Sequence, residues 1–166
     1  MSKPLLGSAF CQVAWVVRDM AAAERFFVEI IGIPRFLHMD NLSAKDTEGT
    51  YLGKRGNWVC HLHIAYAGDT QVELIQPVSG ASMYQESLDQ HGDAVQHVAY
   101  WLDDSDYDAA AAHLISAGYP EIQSFKLPVA RVGYFDTRRA IGVATEIVGA
   151  TKEGHEFRRN LKAGNF

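Results

Sequence analysis

Four polar side chains interrupt apolar, strand-forming runs of this chain: Gln12 in "FCQVAWVV", Glu73 in "QVELIQ", His97 in "VQHVAYWL" and Glu146 in "VATEIV". Strand side chains alternate between two faces, so each intruder has definite companions. Gln12 shares its face with Ala14 and Val16, His97 with Ala99 and Trp101, Glu73 with Gln71 and Ile75, and Glu146 with Ala144 and Val148. The opposite faces carry the bulky Val13, Trp15, Val17, Val72, Leu74, Val98, Tyr100, Leu102 and Ile147, which suit packing against helices. The alanine-bearing faces then surround a space that holds one amide, one imidazole and two carboxylates. Two carboxylates in such a half-buried cavity would repel and be driven toward protonation. A divalent cation removes that difficulty. Oxygen-rich donors with one imidazole suit Zn, Mn, Co, Ni or Mg ions, with coordination positions left for water or substrate. Gln12 then serves as a neutral oxygen ligand, and an amide whose unpartnered burial would cost roughly 1–3 kcal/mol has a use. A single strand glutamate ordinarily faces solvent, and a single strand histidine is more often core or surface than ligand. Equivalent placement in two repeated units is what favours a shared lumen over those ordinary fates.

The elements that must position these groups can be read twice along the chain. After the run Phe10–Val17, "RDMAAAERFFVEIIGIP" has the pattern of a helix capped by Asp19, with Ala23, Phe26, Phe27 and Ile30 on one face and Gly32 and Pro34 as stops. "VQHVAYWLDDSDYDAAAAHLISAGYP" repeats the plan, with a strand at Val95–Leu102, an acidic cap region, and Tyr107, Ala110, Ala111 and Leu114 on one helix face before Gly118 and Pro120. The two segments superimpose without a gap at an offset of 85 residues, His97 over Gln12 and Asp104 over Asp19. Each strand–helix pair is followed by more strands: a hairpin of Trp58–Tyr66 and Gln71–Gln76 turning at "AGDT", and later Glu121–Phe125, Arg131–Phe135 and Val143–Val148. The expected fold class is therefore α+β, with two tandem βαβββ modules forming curved mixed sheets around a metal-binding cleft. The expected boundaries are 9–78 for the first module, 79–93 for a linker, 94–150 for the second module and 151–166 for a polar C-terminal tail. His38–Asn57 reads as a long polar loop with room for a short strand, and Met83–Gln90 as a short helix in the linker.

Composition bounds the setting. The 166 residues are 48% hydrophobic and 21% charged, enough apolar material for a core in one domain or two fused modules. A formal net charge of −5 argues against a nucleic-acid or anionic-membrane surface. No apolar run reaches the roughly 18 residues of a membrane span. The start "MSKPLLGSAF" lacks a signal-peptide core and cleavage site, so a cytoplasmic globular protein is expected. Cys11 and Cys60 make no disulfide framework and read as buried, reduced thiols.

The duplicated pattern, together with "FCQVAWVVRDMAAAERFF", "QVELIQP", "VQHVAYWLDD" and "ATEIV", resembles the vicinal oxygen chelate superfamily, which includes glyoxalase I, methylmalonyl-CoA epimerase, extradiol dioxygenases and bleomycin-resistance proteins. The resemblance covers roughly residues 9–150 and is specific for the superfamily rather than for one reaction. It implies paired modules curved around a metal, whose ligands fall on Gln12, Glu73, His97 and Glu146. Glyoxalase I enzymes include similar sets. Epimerases usually have His first and Gln second, a pattern from which this chain departs at Gln12 and Glu73. The implied chemistry is Lewis-acid stabilisation of an enolate formed when a C–H next to a carbonyl loses its proton. Glu146 would be base or acid as well as ligand, with Glu73 as its counterpart. The resemblance further implies a small-molecule substrate of the CoA or glutathione thioester or adduct kind, and modules that pair within one chain or across a homodimer.

Weaker candidates complete the reading. Trp101, Arg131 and Tyr134 are candidate substrate contacts, with Tyr66 near the same cavity. Lys54 and Arg55 could meet a phosphate or carboxylate, although surface charge is their ordinary role. His61 and His63 share a strand face and offer either a second metal site, a substrate contact or a partly exposed hairpin. Three functions follow: a metal-dependent isomerase, epimerase or glyoxalase-type lyase; a non-catalytic drug-binding protein of the resistance class; and a ring-cleaving dioxygenase, disfavoured because Gln12 stands where its iron site needs a second His.

Overall fold

The apolar run around Gln12 forms β1 (Phe10–Val16), and the equivalent run around His97 forms β7 (Ala94–Asp103). The two pair antiparallel at the middle of one mixed sheet, Val13 opposite Val98. The computed structural model describes residues 6–166; the first five residues of the opening "MSKPLLGSAF" lie outside the described part. The first half continues through β2 (Leu37–Ser43), β3 (Thr50–Tyr51), β4 (Lys54–Arg55), β5 (Val59–Ala67) and β6 (Thr70–Ser79). The second half adds β8 (Glu121–Leu127), β9 (Ala130–Phe135) and β10 (Ala144–Ala150). Strand order is β2-β5-β6-β1-β7-β10-β9-β8-β3-β4. β1 is parallel to β6 and β7 is parallel to β10, the same arrangement on both sides of the central pair. The sheet curls into a half-barrel.

Two helices cover its convex side. α1 (Met20–Arg25) is capped by Asp19, whose carboxylate accepts from the Ala22 N–H at 2.9 Å, and its second half, Phe26–Ile31, winds as a π-helix up to Gly32 at φ 88°. The i→i+5 bonding spreads each turn over more residues, which corrects the expected apolar face. Ala23, Phe27 and Val28 pack on the sheet, whereas Phe26 and Ile30 are 49% and 71% exposed. α3 (Asp104–Ser116) buries Tyr107, Ala110 and Leu114 as expected. Asp103 occupies the N-cap position, one residue earlier than the superposition predicts, and no side chain caps the helix: the Asp103 carboxylate pairs with His155 and that of Asp104 with Arg131. Tyr107 lies so close over β9 and β10 that a Cβ on Gly149 would come within 2.8 Å of its side chain, which requires glycine there. α1 and α3 leave a seam between them, so Val13, Val98 and Tyr100 on the β1–β7 pair are only half-buried rather than covered.

Two segments depart from expectation. Residues 38–57 are not a plain loop. β2 pairs antiparallel with β5, and the β3–β4 hairpin crosses to pair with β8, Thr50 opposite Ser124. The crossing is anchored by buried Trp58, whose indole sits where side chains on Gly49 and Gly56 would collide with it. Residues 152–162 form α5 (Lys152–Lys162), capped by Thr151, whose hydroxyl accepts from the Gly154 N–H at 3.2 Å. Between the halves, α2 (Met83–His91) plugs one end of the lumen with the fully buried Met83 and Tyr84. A short α4 (Arg138–Ile141) occupies the "DTRR" turn. Among the described residues no helix is long and apolar enough to cross a membrane.

Candidate metal centre

Register explains how four residues far apart in sequence meet. Across β6, β1, β7 and β10 the pairing gives two adjacent inward rows, Gln71–Gln12–Ala99–Glu146 and Glu73–Ala14–His97–Ala144. In each row two donors stand on strands separated by one strand, and the residue between them is alanine. Neighbouring strands lie about 4.8 Å apart, so the donors must reach across the gap. Only a methyl group stands in the way, and the concave curl shortens the span. Ala14, Ala99 and Ala144 are all fully buried beneath the cluster.

The side chains converge tightly. The Gln12 amide nitrogen donates to Glu146 Oε2 at 2.9 Å and to Glu73 Oε2 at 3.1 Å, and lies 3.1 Å from His97 Nε2. His97 Nε2 is itself 2.9 Å from Glu146 Oε2 and 3.1 Å from Glu73 Oε2. At the other ring nitrogen, His97 Nδ1 donates to the Gln96 side-chain oxygen at 2.7 Å. That bond holds the ring and directs Nε2 into the cluster. All four residues are buried. Burial pushes the Glu73 carboxyl well above the usual carboxylate range, and the Glu146 charge adds to it. Burial alone would lower His97, but the two carboxylates beside it outweigh that effect and raise it. The cluster therefore carries more acidic charge than it can hold without protons or a cation.

Gln12, Glu73 and Glu146 of the cluster form the floor of a cavity of about 230 Å³ whose walls are almost wholly apolar, among them Met39, Leu62, Phe125, Val132, Val148 and Phe157. Trp101 is brought to this cavity, and its buried indole N–H has no partner among the described residues. Tyr134 stands behind the cluster, its ring 5.0 Å from that of His97 and its hydroxyl accepting from Tyr84 at 2.8 Å. Arg131 is not brought in. Its neighbours Ala130 and Val132 line the cavity, so alternation sends its guanidinium to the convex side, where it pairs with Asp104 and Asp108. Lys54 and Arg55 are exposed on the edge strand β4. Cys11 and Cys60 are buried thiols pushed up to about 12 by burial, which makes them inert packing groups. Sequence reasoning missed Phe157 and Arg158 on α5. Phe157 closes one wall, and the Arg158 Nε donates to the Tyr66 hydroxyl at 2.9 Å with its guanidinium over the Trp101 ring. The signal was present: Thr151 as a cap, then Gly154, Phe157 and Leu161 at helical spacing.

Similarity to known proteins agrees with this geometry. A solved methylmalonyl-CoA epimerase from Mycobacterium tuberculosis aligns with TM-score 0.66 and 19% identity, covering 92% of this chain and 94% of its own. A hypothetical protein from Bacillus halodurans C-125 aligns with TM-score 0.63 and 17% identity over 84% of this chain and 92% of its own. Streptomyces coelicolor methylmalonyl-CoA epimerase in complex with 2-nitronate-propionyl-CoA gives 0.59 and 18%, over 85% and 93%. At such identities the likeness establishes the fold. Among curated proteins no sequence matches significantly. The profile that matches residues 11–133 is that of the Glyoxalase/Bleomycin resistance protein/Dioxygenase superfamily, and to that superfamily this chain belongs.

Proposed function

We propose that the protein is a divalent-metal-dependent isomerase or epimerase, or a glyoxalase-type lyase, acting on a C–H bond next to a carbonyl. The convergence of Gln12, Glu73, His97 and Glu146 on one point at the floor of an apolar cavity carries this reading. The donor set fits a divalent ion. Separations of 2.9–3.1 Å between these atoms suit oxygen and nitrogen ligands. Around an ion with bonds of roughly 2.1 Å, adjacent octahedral ligands stand about 3 Å apart. His97 would bind through Nε2, the two glutamates through one oxygen each, and Gln12 through its carbonyl oxygen after a half-turn of the amide, whose two ends are alike in shape. A bound divalent ion supplies Lewis acidity toward a carbonyl oxygen and lowers the cost of negative charge beside it.

The chain's own groups do the rest. A Glu146 carboxylate oxygen takes the proton from carbon, and Glu73 stands opposite as the group that returns it. Delivery to the other face of the same carbon inverts it. Delivery to the neighbouring carbon isomerises. The apolar walls exclude water from the exposed carbanionic centre. Trp101 lines the same cavity with an indole N–H that has no partner among the described residues, a donor for a polar atom of the substrate. Since all four donors come from one chain, a single protomer can carry a complete site.

The test is solvent deuterium incorporation into 2-substituted acyl-CoA thioesters and glutathione hemithioacetals by metal-loaded protein. Glu146→Gln is expected to lower the exchange rate by about 10²–10⁴-fold, the usual share of a positioned acid–base group; an unchanged rate removes the base. The apolar cavity also supports a second reading, a non-catalytic binder of hydrophobic compounds. That reading requires ligand binding that survives a chelator, whereas the first requires binding or turnover lost with chelator and restored by Mn²⁺ or Zn²⁺.

A further inference from the structure

A second cluster stands on the opposite face of the sheet. Along β5, Leu62 and Ile64 face the lumen, so His61 and His63 face outward beneath α1. The antiparallel pairing of β2 with β5 sets His38 directly opposite His63, and their rings stack at 3.8 Å with planes 15° apart. Glu24 reaches down from α1 to both. Its Oε1 is 2.9 Å from His38 Nε2 and its Oε2 is 2.7 Å from His63 Nδ1. The other nitrogen of His63, Nε2, lies 3.1 Å from Asp40 Oδ1. The cluster opens into a surface depression that Gln76 and Arg25 also line.

Two arrangements satisfy these contacts. Carboxylate oxygens only accept hydrogen bonds, and a neutral imidazole has one N–H. Both nitrogens of His63 face carboxylates, so a neutral ring turns a lone pair against one of them. A doubly protonated His63 beside a neutral His38 donating from Nε2 would satisfy every acceptor, so the hydrogen bonds alone do not demand an ion. The geometry suits one, because a carboxylate oxygen and two imidazole nitrogens lie within 4.8 Å of one another. One divalent ion shared by Glu24, His38 and His63 would take the two lone pairs and the carboxylate together once the half-exposed His38 ring turns out of the stack, since an imidazole binds a metal in its own plane. His63 would then keep its proton on Nε2 and donate it to Asp40, the carboxylate–histidine–metal arrangement that fixes a ligand's tautomer.

We infer that Glu24, His38 and His63 form a second metal site, on the convex face, for a Zn²⁺-class ion. Two imidazoles and one carboxylate are donors that favour zinc, copper or nickel over magnesium or calcium. The depression leaves the ion open to solvent. Because Glu24 belongs to α1 and the histidines to β2 and β5, the ion ties the helix to the sheet.

The test is Zn²⁺ titration of chelator-treated protein by calorimetry, with stoichiometry checked by elemental analysis after desalting. His38→Ala changes a half-exposed residue, and Glu24→Gln is an independent second variant. Circular dichroism checks that each is folded. Wild type is expected to bind one equivalent more than either variant, with the affected phase at least 10-fold weaker, and Zn²⁺ should raise the melting temperature of wild type more than theirs. His97→Ala reports the lumen separately, so the outer site is judged by the difference between wild type and His38→Ala whatever the lumen does. Equal stoichiometry and affinity in wild type and both variants would overturn the assignment.

Discussion

The lumen and the convex face hold two clusters built from the same residue types, and β5 borders both. Inside, Gln12, Glu73, His97 and Glu146 are buried at the end of an apolar cavity. Outside, Glu24, His38 and His63 sit in a shallow depression beside Asp40 and His61, with His38 nearly half exposed. The difference teaches that donor type decides which ions a site can take, while its surroundings decide what else can happen there. Under the proposed function a carbonyl substrate entering the lumen would be enclosed by carbon and meet two carboxylates cut off from water, where electrostatic effects are strong. Among the described residues nothing encloses a substrate over the outer cluster. It suits an ion that braces the fold.

The contrast can be broken most forcefully from the inside. Ala99→Leu puts a branched side chain between Gln12 and Glu146, where the pairing leaves room only for a methyl group. It should destabilise the fold by about 1–3 kcal/mol through overpacking. Thermal melting should show it, and elemental analysis should show loss of lumen metal with the outer equivalent kept. Asp40→Asn acts in the opposite direction. By weakening the acceptor for His63 Nε2 it should reduce the outer Zn²⁺ affinity about 10–100-fold, measured by competition with a chromogenic chelator, and leave deuterium exchange unchanged. The smallest effect is expected from Tyr134→Phe. It removes the hydroxyl that accepts from Tyr84 and should cost about 1 kcal/mol. A fall of roughly 2–4 °C in melting temperature, with both metal equivalents retained, would separate the scaffold behind His97 from the donors themselves.

How far the chain could be read depended on the range of the forces involved. Gln12, Glu73, His97 and Glu146 stood out because each breaks an apolar alternation, and three of them have alanine beside them on the same face. His61 and His63 could be placed on one face for the same reason. Their partners could not. Residues 38–57 are polar and look like a loop, so β2 and its pairing with β5, which brings His38 and Asp40 to His63, left no local trace. Phe26 and Ile30 were assigned inward on a 3.6-residue period that the π-helical turn does not keep. Arg131 is the reverse case, since its alternation with Ala130 and Val132 already pointed it away from the cavity.

The sequence by itself determined which face of its strand each donor takes, where the first helix starts, and that two similar units follow one another. Those properties come from side-chain alternation and capping, which act over a few neighbouring residues. Only the tertiary structure decided that donors on β6, β1, β7 and β10 meet across alanines, that α5 closes the cavity, and that Glu24 stands over two stacked histidines. Such meetings depend on sheet register and curl, which are set by pairing between strands distant in the chain and not by the residues beside each donor.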